Sequence, residues 1–145
     1  MASHSARRSA KEKEAMTSEL RYISPFFIVS SVPESLRFYA TLGFETRFSE
    51  GIDGGPPFFA IAGRGPVQIF LKDLGIPAQP NASRHPWSWD AFVYAADPDA
   101  LAAEFSSNGI VFHKEILDRE DGLRGFEILD PDGYLLFFGR LIQEN

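Results

Sequence analysis

The sequence predicts an α+β fold in which two βαβββ modules form paired curved mixed sheets around a cleft, and two observations carry that prediction. First, the order of signals repeats. Pro33 and Pro98 lie 65 positions apart, and Gly43 and Gly109 lie 66 apart, each pair bracketing a short helical stretch. A near-constant offset across a strand-helix-strand-strand-strand order marks two copies of one module. Second, residues 125–139 (GFEILDPDGYLLFFG) specify a β-hairpin by their own chemistry. Asp130-Pro131-Asp132-Gly133 places an acceptor side chain first, proline second and glycine last, as a type I turn requires. The five residues that follow, 134–138, are all apolar or aromatic. A run without alternation suits a strand covered on both faces, by a helix on one side and a lined cavity on the other.

Each element then has its own signal. Residues 22–29 (YISPFFIV) read as a strand whose start Pro25 demotes toward an edge. Ser31-Val32-Pro33-Glu34 reads as a helix N-terminus with a Ser cap, Pro in the first turn and Glu completing a capping box. Leu36, Tyr39 and Ala40 lie at helical spacing, and Gly43 ends the helix. Strands follow at 44–50, 58–62 and 67–71, separated by glycine- and proline-containing turns. In the second half, residues 89–95 read as a strand, Asp97-Pro98 caps a helix carrying Leu101, Ala102 and Phe105, and Asn108-Gly109 ends it. Strands at 110–116, 123–129 and 134–138 complete the module.

Residues 1–20 read as a disordered arm, polar and without periodicity. Residues 21–145 form one domain, with module one at 21–72, a linker at 73–87 and module two at 88–141. Met16 directly precedes the first structured residues and is a candidate alternative start. Neither module alone has enough core, so the two should pack together or exchange with a second chain. Two facing sheets would enclose a cleft within one chain or across a dimer, and the sequence leaves both open.

Composition narrows the function. The 145 residues are 44% hydrophobic and include 14 Phe, 4 Tyr and 2 Trp but no Cys, which excludes disulfides, thiolate metal sites and a cysteine nucleophile. Residues 1–21 carry five basic and three acidic side chains, whereas the rest carries nine basic and seventeen acidic. An acidic body argues against a nucleic-acid partner and is compatible with a cationic ligand. No apolar run approaches the roughly 20 residues of a membrane span, and the N-terminus lacks a signal-peptide core. The expected setting is cytoplasmic, with no membrane partner. Trp87, Trp89, Phe92 and Tyr94 form an aromatic stripe that reads either as core packing or as a stacking wall for a flat or cationic ligand. His85 and His113 read as a surface loop residue and a half-buried strand residue. The acidic cluster Asp118, Glu120, Asp121 reads as a solvated loop. Gly51-Ile52-Asp53-Gly54-Gly55-Pro56-Pro57 lacks the lysine and the following helix of a phosphate loop and is a connecting turn.

The repeated plan, with SVPESLRFYATLGF after the first strand and GLRGFEILDPDGYLLFFGR at the end, resembles the vicinal oxygen chelate superfamily. That group includes glyoxalases, extradiol dioxygenases, and fosfomycin- and bleomycin-resistance proteins. FFAIAGRGPVQIFL and FVYAADPDALAAEF are most similar to the bleomycin-resistance-like branch, and the likeness spans about residues 22–141. The resemblance implies a divalent metal in the enzymes, held by positions that fall here on Ser24, on Ile69 or Gln68, on Asp90 and on Phe137. Phe137 cannot coordinate, and serine and an aliphatic residue replace imidazole and carboxylate poorly. No metal, no cofactor and no catalytic residue are therefore expected. The resemblance implies a homodimer that sequesters a small aromatic or cationic molecule in an aromatic cleft, with Trp87, Trp89, Asp90 and Phe137 as ligand-binding residues. The alternative is a metal-dependent glyoxalase- or dioxygenase-type enzyme with an unorthodox ligand set such as Asp90, Gln68 and one histidine. A third reading is a partner-binding domain that uses the basic arm as its contact.

Overall fold

A computed structural model describes residues 9–10, 18–86 and 88–143. Trp87, Met16 and most of the arm lie outside the described residues. In the first module, β1 (Phe26–Ile28) leads to α1 (Val32–Thr41), β2 (Glu45–Gly51), β3 (Pro57–Arg64) and β4 (Val67–Lys72). In the second, β5 (Ala91–Tyr94) leads to α2 (Pro98–Ser107), β6 (Lys114–Asp118), β7 (Leu123–Leu129) and β8 (Leu135–Leu141). The sheet orders are β1-β4-β3-β2 and β5-β8-β7-β6. In each, the first strand runs parallel to the last and the other pairs are antiparallel, so both sheets are mixed. The predicted repeat is the architecture. Among the described residues, no helix is long and apolar enough to cross a membrane.

Local chemistry sets the element ends. Ser31 Oγ accepts from Glu34 N at 3.2 Å, and Asp97 Oδ1 accepts from Ala100 N at 3.1 Å, so both helices begin on side-chain caps. At the 130–133 turn, Gly133 N donates to Asp130 O at 3.0 Å and Gly133 adopts φ +88°, a conformation glycine reaches without steric cost. Asp130 Oδ1 also accepts from Asp132 N and Tyr134 N, both at 2.9 Å, which stiffens the turn from inside.

Three strands begin at least two residues later than the sequence predicts, while β3 and β8 run on to Arg64 and Leu141. β1 covers three residues because it pairs only with β4, while Tyr22 and Ile23 before it are 62% and 95% exposed. β5 is trimmed to four residues, although Asp90 N and Ala95 N extend its ladder at either end. β6 begins at Lys114 rather than near 110, because Ile110 N still donates to Phe105 O at the end of α2. The stretch 110–112 packs Ile110 and Phe112 on the core without pairing.

One hydrophobic core lies on the helix-facing sides of both sheets. It includes Phe27, Tyr39, Ile69, Phe105, Phe126 and Phe138. Phe105 on α2 meets Phe126 and Phe138 edge-on at 5.8 and 5.3 Å. The modules are clasped reciprocally by their hairpin tips. Tyr39 on α1 donates to Asp130 Oδ2 at 2.8 Å, and Arg64 at the β3–β4 tip pairs with Glu104 on α2 at 2.8 and 2.9 Å.

Candidate functional site

Strand parity creates the site. In β8, Leu136 and Phe138 belong to the core, so Phe137 points to the opposite, open face of the second sheet. It is nevertheless only 1% exposed, so β8 is covered on both sides as its apolar run predicts. Phe137 lies flat because Gly125 and Gly139 face each other across β7 and β8. A Cβ on Gly125 would stand 2.6 Å from Phe137 Cζ, and one on Gly139 would stand 2.5 Å from its Cε1. Both glycines are therefore required for close approach of the ring. Above it, Trp89 stacks at 4.3 Å and 29°, and Phe92 tilts against it at 5.1 Å. The Arg119 guanidinium sits 5.1 Å from the Trp89 ring and 5.4 Å from Phe137, within cation–π range of both.

Beside the rings lies a carboxylate. Glu127 is the register partner of Phe137 and is 3% exposed. Its Oε2 accepts from Trp89 Nε1 at 2.9 Å and from Arg119 Nη1 at 3.4 Å, while its Oε1 meets His113 Nδ1 at 3.0 Å. Arg119 Nε is held in turn by Asp121 at 3.1 and 3.3 Å. A buried carboxylate needs such partners, and here they also fix the indole over Phe137. A groove of about 80 Å³ opens between Arg119, Glu127 and Phe137.

The first sheet presents a ladder of rings on its own open face. Phe26, Phe70, Phe59 and Phe48 follow one another at 6.5, 5.9 and 5.9 Å, with Lys72 Nζ 6.0 Å from the Phe59 ring centre. Of the two adjacent phenylalanines in β3, Phe59 joins this ladder, whereas Phe58 lines a separate groove by the start of α1. Among the described residues, no ring of this ladder contacts the Trp89–Phe137 stack. Phe26, Phe48 and Tyr94 remain 53%, 49% and 68% exposed.

The sequence-predicted ligand residues fall in different places. Trp89 and Phe137 form the stack. Asp90 binds backbone instead: Oδ1 accepts from Asn81 N at 2.7 Å and Oδ2 from Leu135 N at 2.8 Å, which staples the linker to β8. It borders a groove of about 290 Å³ with Phe26, Gln79 and Tyr134. Trp87 is outside the described residues. Sequence reasoning missed Glu127, Arg119 and the pairing of His113. The available signal was Glu127 itself, the one acidic residue of β7, set between the apolar Phe126 and Ile128 and on the open face. His85 is an exposed loop residue.

The metal positions implied by the resemblance do not form a donor set. Ile69 is buried in the core, which leaves Gln68 on the open side of β4. Both Asp90 oxygens are engaged by N–H groups, and Phe137 offers no donor atom. Among the described residues, no group of three or more His, Cys, Asp or Glu side chains is placed to hold a metal ion.

Comparison with known proteins agrees with the fold. Residues 21–138 match the family described as the Glyoxalase/Bleomycin resistance protein/Dioxygenase superfamily. A search of curated protein sequences gives no significant match. Among solved structures, a glyoxalase-related enzyme from Clostridium phytofermentans superposes with a TM-score of 0.68 at 16% identity, covering 86% of this chain and 97% of that one. A bleomycin-binding protein complexed with bleomycin gives 0.63 at 23% identity, covering 82% and 97%. The bleomycin-binding protein of bleomycin-producing Streptomyces verticillus, complexed with copper(II)-bleomycin, gives 0.62 at 22% identity, covering 83% and 95%. At these identities the likeness establishes the fold.

Proposed function

This chain belongs to the Glyoxalase/Bleomycin resistance protein/Dioxygenase superfamily, and from that premise we propose that it is a cytoplasmic, metal-independent protein that sequesters a small aromatic or cationic molecule. The observation that carries the reading is the Trp89–Phe137 stack, stacked at 4.3 Å on the open face of the second sheet. Phe137 stands where the metal-dependent relatives are expected to place a carboxylate, so this face offers π surface rather than a Lewis acid. A planar ligand gains dispersion and burial on such a wall, and a cationic one is attracted by the ring faces. The bleomycin-binding relatives give the ligand class its first candidate.

The open faces support a homodimer as the working unit. Each chain presents a phenylalanine ladder on one sheet and, on the other, Trp89 laid over a buried Phe137. Apposing the first sheet of one copy to the second sheet of its partner would enclose a cleft that one chain leaves open. Asp90 is then proposed as a ligand contact through the groove it borders, and Trp87 as a further ligand-binding residue.

Titration with metal-free bleomycin in the presence of a chelator tests this reading, followed by tryptophan fluorescence and calorimetry. The expected result is saturable binding that chelation does not alter. Binding should weaken about 10-fold or more in Trp89→Ala, the loss typical of an aromatic anchor. Binding that vanishes with the chelator, or an activity restored by a divalent ion, overturns it. Sedimentation of the free protein as a monomer at all concentrations overturns the dimer.

A further inference from the structure

The repeat creates two equivalent seams between the modules, and they are filled differently. Phe27 corresponds to Val93, Tyr39 to Phe105, Asp130 to Arg64 and Tyr134 to Val67 by the chain offset. At the first seam the β7–β8 tip fills its own space. Tyr134 stacks on Phe27 at 4.2 Å and 6°, and its hydroxyl donates to Ile28 O at 2.6 Å. Asp132 then takes the Ser30 N–H at 3.2 Å. At the second seam the β3–β4 tip is one residue shorter between the corresponding positions, has no counterpart of Asp132, and ends in Val67. What remains is a groove of about 320 Å³ walled by Val67, Val93, Leu101 and Phe105. That volume lies at the lower end of the roughly 300–1,000 Å³ range of small-molecule sites.

We propose that this second seam is a small-molecule site, separate from the open sheet faces, that takes a primary arylalkylamine. The ring is specified by the first seam, where the equivalent space holds a tyrosine side chain. The amine is specified by the lining charges, which are Asp97 and Glu104 against Arg64. Arg64 is already committed, since Nη1 donates to Leu42 O and Glu104 Oε2 and Nη2 to Glu104 Oε1. An anionic ligand would have to displace Glu104 from this fork. An ammonium need not, because each Glu104 oxygen keeps a lone pair for a second donor. The Arg64 hydrogen bonds also hold the Glu104 carboxyl below its ordinary range, so it stays ionised at neutral pH. The chain's formal net charge of −6 favours a cation as well.

Tyramine is the probe, because its ring and chain copy the Tyr134 side chain and add the ammonium. Tyrosol and 3-(4-hydroxyphenyl)propionate serve as neutral and anionic controls. A ¹H–¹⁵N shift titration of the full chain should show saturable changes at Ala96, Ala100, Leu101 and Glu104, with tyramine binding more tightly than either control. Val67→Tyr should refill the groove and abolish these changes, while Trp89→Ala should leave them intact. Glu104→Gln should weaken tyramine about three- to five-fold, the scale of a half-exposed ion pair, and leave tyrosol unchanged. The proposal is overturned if tyramine shifts are absent, if they centre on Trp89 and Phe92, or if they persist in Val67→Tyr. Should Val67→Tyr not fold, equal loss of tyramine and tyrosol in Glu104→Gln overturns it too.

Discussion

The open faces of the two sheets share one register across their last hairpins and differ at two neighbouring cross-strand pairs. In the first sheet, Phe59 pairs with Lys72; at the corresponding place in the second, Gly125 pairs with Gly139. The larger pair props up the first ladder, where Phe59 meets Phe70 nearly edge-on at 62° and Lys72 lies over the Phe59 ring. The glycine pair lets Phe137 recline across both strands and bury itself, leaving room for Trp89 to stack above. A second difference follows in the next pair. Ile61 opposite Phe70 is replaced by Glu127 opposite Phe137, and the carboxylate fixes the indole through its N–H. Identical topology thus yields a loose apolar ladder on one face and a hydrogen-bonded, layered stack on the other. The neighbours of an aromatic residue, more than the residue itself, decide whether it forms a wall or a rung.

The largest effect is expected where that comparison is broken outright. Gly125→Val drives its side chain into the Phe138 carbonyl and the Phe137 ring and should destabilise the fold by about 3 kcal/mol or more, the upper range for overpacking. Urea denaturation measures the loss, and a red-shifted emission in a Trp87→Phe background, where Trp89 alone reports, would mark the opened stack. Unchanged stability with unshifted emission would mean that Phe137 does not rest on the glycines.

The two clasps extend the comparison and give the intermediate and smallest effects. Burial pushes the Asp130 carboxyl up to about 6, against the hydrogen bonds from Tyr39, Tyr134 and Asp132. The folded protein therefore holds this proton more tightly than the unfolded chain. The associated stability is fully present below about pH 4 and is lost as pH rises through about 6, a change on the order of 3 kcal/mol. Asp130→Asn keeps an acceptor for the two backbone N–H groups and cannot titrate, so its stability should lack this decline between pH 4 and 6. Denaturation at a series of pH values checks it, and parallel profiles for the two proteins would contradict it. The Arg64–Glu104 clasp is half-exposed, at 39% and 41% of the side chains. Arg64→Ala should cost only about 1 kcal/mol, part of it the lost bond to Leu42 O. A cost approaching that of a core truncation would show that the second seam depends on this pair.

Much of the fold was legible in the sequence because its signals are local. The Asp130–Gly133 turn, the Ser31 and Asp97 caps and the glycines that close both helices each act within a few residues, and all three kinds of signal appear where they were expected. Phe137 was singled out as a replaced position only through the family resemblance, which places a metal-binding carboxylate there in the metal-dependent members. The cluster around it was not legible. Trp89, His113, Arg119 and Glu127 come from four separate stretches, and only the β7–β8 register and the course of the loops bring them together. His113 read as a bland strand residue because nothing near it in sequence shows that Glu127 is its partner. Asp90 was singled out through the family resemblance, and its backbone partners Asn81 and Leu135, nine and 45 positions away, were not legible.

The sequence by itself determined the two-module α+β architecture, the turn chemistry and the burial of β8 on both faces, since these depend on periodicity and short-range sterics. Tertiary structure alone decided that Phe137 lies flat on two glycines, that a buried carboxylate orders the stack, and that one seam is filled by Tyr134 while its equivalent stays open. Those outcomes depend on which side chains meet across strands and between modules, and pairwise packing at long range leaves no periodic trace in the chain.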